Sequence, residues 1–223
     1  MKNVVITGAI RGIGLSLSKQ YHQQGYQVYA TCRQASSDLS ALADAGLNII
    51  DGIDVASADA VNVLTQSLSG VNVDLLINNA GVLKNEVLGQ LDFDSIQNQI
   101  EVNTYGPLRV TEALQNNLSD NAKIAMITSR MGSVADNTSG GRYGYRMSKA
   151  ALNIAAVSIA HDLSSRGVSI AIIHPGLVGT EMIGGYGDIT PGQAAERIIQ
   201  RIDELNLTTS GSFWHSNGEI LPW

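Results

Sequence analysis

The sequence predicts an α/β protein with a doubly wound parallel sheet (Rossmann fold), about seven strands with helices on both faces, in one domain spanning residues 1–223. Three observations point there. Short β-branched apolar runs alternate with longer helical patterns along the chain. Runs such as Asn3-Val4-Val5-Ile6, Asp74-Leu75-Leu76-Ile77 and Ile170-Ala171-Ile172-Ile173 are almost continuously apolar, as strands covered on both faces must be. The 23 glycines, with only 5% aromatic residues, suit tight strand-to-helix turns.

The strands read from these runs are Asn3–Thr7, Gln27–Cys32, Leu47–Ile50, Asp74–Ile77, Lys123–Thr128 and Ser169–Ile173, with a seventh near Ser212–Trp214. Between them the helical periodicity covers Ile13–Gln24, Ser37–Ala45, Ala58–Leu68, Phe93–Leu118, Tyr145–Arg166 and Gly192–Leu205. Gly25, Gly46 and Gly167 fall just past three of these helices, where a left-handed residue is wanted. No linker, repeat or low-complexity segment interrupts the alternation, and right-handed β-α-β crossovers follow from it. In such sheets ligands bind outside the carboxyl ends of the strands.

Composition narrows the function. Hydrophobic residues make up 44% of the chain and charged ones 15%, a globular balance. The net charge is −6 with no basic block, which argues against nucleic acid as a partner. An anionic ligand must then be held by a local positive site. Cys32 is the lone cysteine, so neither an intrachain disulfide nor a cysteine-based zinc site is expected. His22, His161, His174 and His215 are scattered, and no metal ligands are expected among them. The N-terminus passes straight into a short apolar run, with neither a secretory signal nor a membrane span, so a cytoplasmic protein is expected.

The first strand runs into Gly8-Ala9-Ile10-Arg11-Gly12-Ile13-Gly14 and then a helix. Glycines there permit a tight turn and a close approach to a pyrophosphate, while the helix N-terminus offers unpaired N–H groups. The second strand ends Thr31-Cys32-Arg33, with no carboxylate until Asp38. An acid at that point would bond the adenosine ribose and repel a 2′-phosphate. Arg33, with Arg11 approaching from the other side, instead favours NADP(H).

Tyr145 and Lys149 stand four residues apart at the start of a long helix, on one face of it. A free phenol has a pKa of about 10, and bringing it near neutrality takes roughly 4 kcal/mol of phenolate stabilisation. A neighbouring ammonium is one way to supply that. By itself the spacing is as well explained by a surface pair, so its context decides.

Taken together, the glycine loop, Asn78-Asn79-Ala80-Gly81 after the fourth strand and Tyr145-x-x-x-Lys149 resemble the short-chain dehydrogenase/reductase family over essentially the whole chain. Arg130-Met131-Gly132-Ser133, Tyr143 through Lys149 and the final Ile220-Leu221-Pro222-Trp223 resemble its branch of sniffer-type carbonyl reductases and bacterial C-factor proteins. The resemblance implies an NADPH-dependent oxidoreductase acting on a carbonyl or secondary alcohol. Tyr145 would be its general acid/base, and Lys149 would hold the nicotinamide ribose and lower the Tyr145 pKa. Ser129 would bond the substrate oxygen, and Asn103 would anchor a water relaying protons to Lys149. Gly8, Ile10, Arg11, Gly12, Ile13, Gly14 and Arg33 would hold the cofactor, with Asp54-Val55 near the adenine. Asn79-Ala80-Gly81 would border it, and Pro175, Gly176, Val178 and Thr180 would meet the nicotinamide end.

Ser129 lies further before Tyr145 than is usual in the family, which reads as a longer loop over residues 136–141. Ser133 is the alternative for its role. Asn78 is read as bonding backbone groups between adjacent strands. Arg130 and Arg146 near the expected pocket would bias it toward polar or acidic substrates. Met182–Asp188 is expected to form a mobile flap. Two helices apolar on more than one face, Phe93–Leu118 and Tyr145–Arg166, imply a homo-oligomer, a dimer or tetramer. A second reading is an NADP(H)-binding signalling or sensor protein of the C-factor kind. A third, a nucleotide-sugar epimerase, needs a C-terminal substrate region that this chain lacks.

Overall fold

The computed structural model describes all 223 residues. Seven strands form one wholly parallel sheet: β1 (Asn3–Thr7), β2 (Gln27–Thr31), β3 (Asn48–Ile50), β4 (Val73–Asn78), β5 (Leu118–Ile127), β6 (Ser169–His174) and β7 (Phe213–His215). Their order is β3-β2-β1-β4-β5-β6-β7. The chain winds one way from β1 to β3 and the other way from β4 onward. The point of reversal lies between β1 and β4, and it opens a crevice at their carboxyl ends.

Side-chain alternation divides the interior into two cores. Val5 of β1 and Leu76 of β4 face one side, where α3 (Ala58–Ser67), α5 (Gly106–Leu114) and α6 (Tyr143–Asp162) supply Leu64, Leu114 and Leu152. Val4, Ile6, Leu75 and Ile77 face the other. There α1 (Gly12–Gln23), α2 (Ser37–Ala43) and α7 (Pro191–Glu204) supply Leu17, Leu39 and Ile198. Gly25, Gly46 and Gly167 are left-handed just past their helices, with φ of 82°, 101° and 74°.

The largest departure from the sequence expectation is in Phe93–Leu118. It is not one helix: α4 (Phe93–Ile100) passes into a π-helical turn over Glu101–Tyr105 before α5 resumes, and Leu118 already pairs with Val73 as strand. Pro107 supplies a physical reason. It has no N–H to donate to the carbonyl of Asn103, so the regular bonding pattern fails one turn before it. The turn also carries Asn103 inward, where it is fully buried.

Two of the scattered histidines meet. His174 and His215, at the ends of β6 and β7, pack edge to face with ring centroids 4.9 Å apart. Burial, then the neighbouring His215 and Arg130, depresses the His174 pKa to about 3, against a partial opposing pull from Asp136. The unfolded chain therefore binds a proton near pH 6.5 that the folded protein refuses. Stability attributable to His174 should be intact above pH 6.5 and fall as the pH drops toward 3, by about 5 kcal/mol in total. Urea unfolding of wild type and His174→Gln at pH 7 and pH 4 checks this. The stability of wild type relative to the variant should decline between the two.

Candidate active site

The crevice at the carboxyl ends of the strands encloses a cavity of about 260 Å³. Its floor is the loop after β1. Gly8 and Gly12 are left-handed there (φ 68° and 55°), and a Cβ on Gly14 would lie only 2.3 Å from the Gly8 carbonyl oxygen. A Cβ on Gly8 would come within 2.8 Å of the Ala80 Cα. The loops after β1 and β4 thus pack backbone on backbone, and only glycine permits it. Arg11 precedes α1 without capping it, which leaves the first N–H groups of the helix for a ligand.

Asn79 fastens these loops. Its side-chain amide donates to the carbonyls of Thr7 (3.0 Å) and Gly8 (3.1 Å), and the Thr7 hydroxyl accepts from the N–H groups of Asn79 and Ala80. The bridging role expected of Asn78 therefore belongs to its neighbour. Asn78 points to the helix side instead and donates to the Thr111 hydroxyl at 3.1 Å, because alternate strand residues face opposite layers.

At the end of the cavity beside β2, Cys32 and Arg33 line it with Asp54 and Val55. Burial, followed by a hydrogen bond to Asp51, pushes the Cys32 thiol up to about 12. It is therefore a neutral packing group rather than a nucleophile. Arg11 is not free, since it pairs with Glu181 from the loop after β6. Glu181 and Met182 both line the cavity mouth. Sequence spacing gave no sign of Glu181, which reaches Arg11 from 170 positions away.

At the other end stand the chemical groups. The Tyr145 side chain is buried, and the Ser129 hydroxyl lies beside its phenol, where it favours the phenolate. Ser129 follows β5 and its Oγ also accepts from the Met131 N–H at 3.1 Å. Ser133 is engaged elsewhere, donating to the Trp223 carbonyl at 3.1 Å. Of the two serines, Ser129 is the one brought to Tyr145. One turn along α6, Lys149 donates from Nζ to the Ile127 carbonyl (2.9 Å), with Nζ 5.8 Å from the centroid of the Tyr145 ring. Asn103 holds the loop opposite: its Oδ1 accepts from the Val82 N–H and its Nδ2 donates to the Val82 carbonyl, both at 2.8 Å. Gly81 sits against both groups, since a Cβ there would lie 3.2 Å from Asn103 Oδ1 and 3.8 Å from Lys149 Nζ.

The electrostatics correct one expectation. The protein by itself does not lower the Tyr145 pKa; burial raises it, and the Ser129 hydroxyl and the Arg142 charge offset that only in part. Burial also lowers Lys149, to about 8. Lys149 aims its ammonium at a main-chain carbonyl instead of the phenol, so desolvation wins over the cation. Any further phenolate stabilisation has to come with a bound ligand.

Two more expectations shift. Gly176 and Val178 do not line the cavity: Gly176 packs against Ile189 and His215, and Val178 bridges to Ile189. Every other residue expected at the cofactor, from Gly8 through Thr180, does line it, while Asn103 and Ser129 lie just behind its wall. Arg130 pairs with Asp136 at 2.7 Å, and Arg146 donates to Ser139 Oγ and the carbonyls of Gly140 and Gly141. Both arginines hold the longer loop in place. Residues 182–188 form a short excursion with left-handed Gly184 and Gly185, tied at its base by Gly185 N–H to the Thr180 carbonyl.

A glycine cradle at a helix N-terminus and a tyrosine–lysine pair at the far end of the same crevice together fit a dinucleotide and make this a Rossmann-type oxidoreductase. The chain belongs to the short-chain dehydrogenase family, whose model, described as short chain dehydrogenase, matches residues 2–188. It is 45% identical, over the full length of both chains, to the 1-hydroxy-2-glutathionyl-2-methyl-3-butene dehydrogenase of Rhodococcus sp. (strain AD45). Among solved structures it resembles the carbonyl reductase Sniffer of D. melanogaster at a TM-score of 0.93 and 28% identity, covering 100% of both chains. It is also similar to an NADPH-bound carbonyl reductase from chicken fatty liver, with a TM-score of 0.90 and 27% identity over 100% of this chain and 99% of that one.

Proposed function

We propose that this oxidoreductase is an NADPH-dependent carbonyl reductase, or in reverse an alcohol dehydrogenase, with Asn103, Ser129, Tyr145 and Lys149 as its catalytic residues in a single domain. The observation that carries the reading is the Ser129 hydroxyl beside the buried Tyr145 phenol at the cavity, with Lys149 one turn further along the same helix. The bound nicotinamide supplies or accepts the hydride. Ser129 would donate to the substrate oxygen as negative charge develops on it, and Tyr145 would give that oxygen its proton. Lys149, lying beside Gly81 and Asn103, would hold the ribose and take part in proton return through a water held at Asn103. Burial favours the neutral phenol, which is the form a general acid needs for reduction.

Arg33 supports NADP(H) as the cofactor, since it lines the adenosine end of the cavity without an ion-pair partner. Arg11 would have to leave Glu181 to join it. Arg33→Ala should weaken NADPH binding at least about tenfold, the scale of a charge-assisted hydrogen bond, with little effect on NADH. Equal losses for the two cofactors would refute the preference. The overall test is NADPH oxidation across aldehydes, ketones, diones and quinones. Alcohols with bulky polar substituents belong in the reverse assay, because the Rhodococcus relative is named for an alcohol bearing a glutathionyl group.

The alternative, an NADP(H)-binding signalling or sensor protein, is not favoured, although the chain is 43% identical to the C-signal of Myxococcus xanthus over 68% of its length. A binding role has no use for a buried Ser129–Tyr145–Lys149 arrangement. No helix is long and apolar enough to cross a membrane. A cytoplasmic enzyme acting on small molecules, with neither membrane nor nucleic acid as partner, is part of this proposal and rests on composition and charge. Exposed Met147 and Ile154, two turns apart on α6, support the homo-oligomer, a dimer or tetramer.

A further inference from the structure

The helix that presents Tyr145 begins in an unusual way. Helix N-termini leave N–H groups unpaired, and the residue before the helix normally satisfies one of them with a short polar side chain. At α6 that residue is Arg142. Its backbone is left-handed (φ 51°, ψ 47°) and its side chain makes no cap. Glu86, from the loop between β4 and α4, takes the position instead. Its Oε2 accepts from the Gly144 N–H at 3.1 Å, and its main-chain carbonyl accepts from the Arg142 N–H at 3.0 Å.

Glu86 is itself fixed. It is only 4% exposed, and its Oε1 accepts from Gln99 Nε2 and from the Ser95 hydroxyl, both on α4. Gln99 in turn accepts from the Lys84 N–H at 2.9 Å, which sets the direction of its amide. Gly144 is required for this approach, because a Cβ on it would lie 2.5 Å from Gln99 Nε2. A buried carboxylate without a cationic partner needs such a complete set of donors, and the positive end of the α6 dipole adds to them.

We infer that Glu86 is a positioning residue for catalysis: it caps α6 from another part of the chain and sets the first turn, and so the angle at which Tyr145 meets Ser129. Gly144, the residue it holds, immediately precedes Tyr145. The inference rests on Tyr145 being the proton donor. Glu86 touches neither the cavity nor the glycine loop, so its effect should fall on turnover and not on cofactor binding.

The test measures kcat, the KM of the carbonyl substrate, NADPH affinity by fluorescence and thermal unfolding for Glu86→Ala, Glu86→Gln and Tyr145→Phe. Misplacing a reacting group by an ångström costs up to about 100-fold, so Glu86→Ala should lower kcat per NADPH-binding site by roughly 10- to 100-fold, with NADPH affinity within about twofold. Glu86→Gln keeps an acceptor for Gly144 and should recover part of the loss. If Glu86→Ala does not fold, Glu86→Gln alone decides, since its new amide faces the Gln99 donors and should still cost about tenfold in kcat. Unchanged kcat per site in whichever variant folds, even with a lower melting temperature, would overturn the inference. Turnover surviving in Tyr145→Phe would instead overturn the reading it rests on.

Discussion

Tyr145→Phe should lower kcat for carbonyl reduction by about 10³- to 10⁴-fold while leaving NADPH affinity within a few-fold, the upper range for removing a positioned general acid. The size follows from burial. With its phenol enclosed beside Ser129, Tyr145 occupies a place that bulk water does not readily reach, so no solvent proton donor substitutes for it. The phenyl ring keeps the packing, and loss of the hydroxyl removes a single polar group from beside Ser129. Stability should therefore change by only about 1 kcal/mol. Stopped-flow NADPH consumption and cofactor fluorescence on the same preparations separate the two effects.

The second large effect is at Lys149. Lys149→Met should reduce kcat/KM for NADPH by about 10²- to 10³-fold, because the residue is proposed both to bind the ribose and to return the proton. Its titration gives a sharper signature. Burial holds Lys149 at about 8, so the free protein carries this charge below pH 8 and loses it above. The profile of kcat/KM for NADPH reports ionisations of the free enzyme. It should run level below pH 8 and fall about tenfold per pH unit beyond it. In Lys149→Met that alkaline limb should vanish. A limb that stays at the same pH in the variant belongs to another group.

The parts of this account legible in the sequence are those with short-range causes. Tyr145 and Lys149 share a helix face by spacing alone. The glycine loop is read from its place between a strand and a helix, and the continuous apolar runs announce strands covered on both sides. The parallel, doubly wound character of the sheet followed from the β-α alternation.

What stayed hidden depends on pairs far apart in the chain. Glu181 meets Arg11 and Glu86 meets Gly144, and no periodicity announces either of them. The π-helical turn at Asn103 was concealed for another reason: Pro107 alone reads as a tolerated first-turn proline, and the bonding failure lies one turn before it. The bridging role falls to Asn79 and not to Asn78 because the choice depends on which way each faces across the sheet. The direction of the Tyr145 pKa shift was missed because spacing reports a nearby cation but not desolvation.

Isotope transfer tests the central claim most directly. Wild-type protein is given a carbonyl substrate and NADPH deuterated at the transferable position of nicotinamide C4, and the alcohol is examined by mass spectrometry and NMR. The account predicts deuterium on the carbinol carbon, with the hydroxyl proton drawn from solvent, and no labelled product from Tyr145→Phe on the same timescale. Alcohol formed without deuterium at that carbon, or NADPH bound with no carbonyl consumed across the panel, would contradict it.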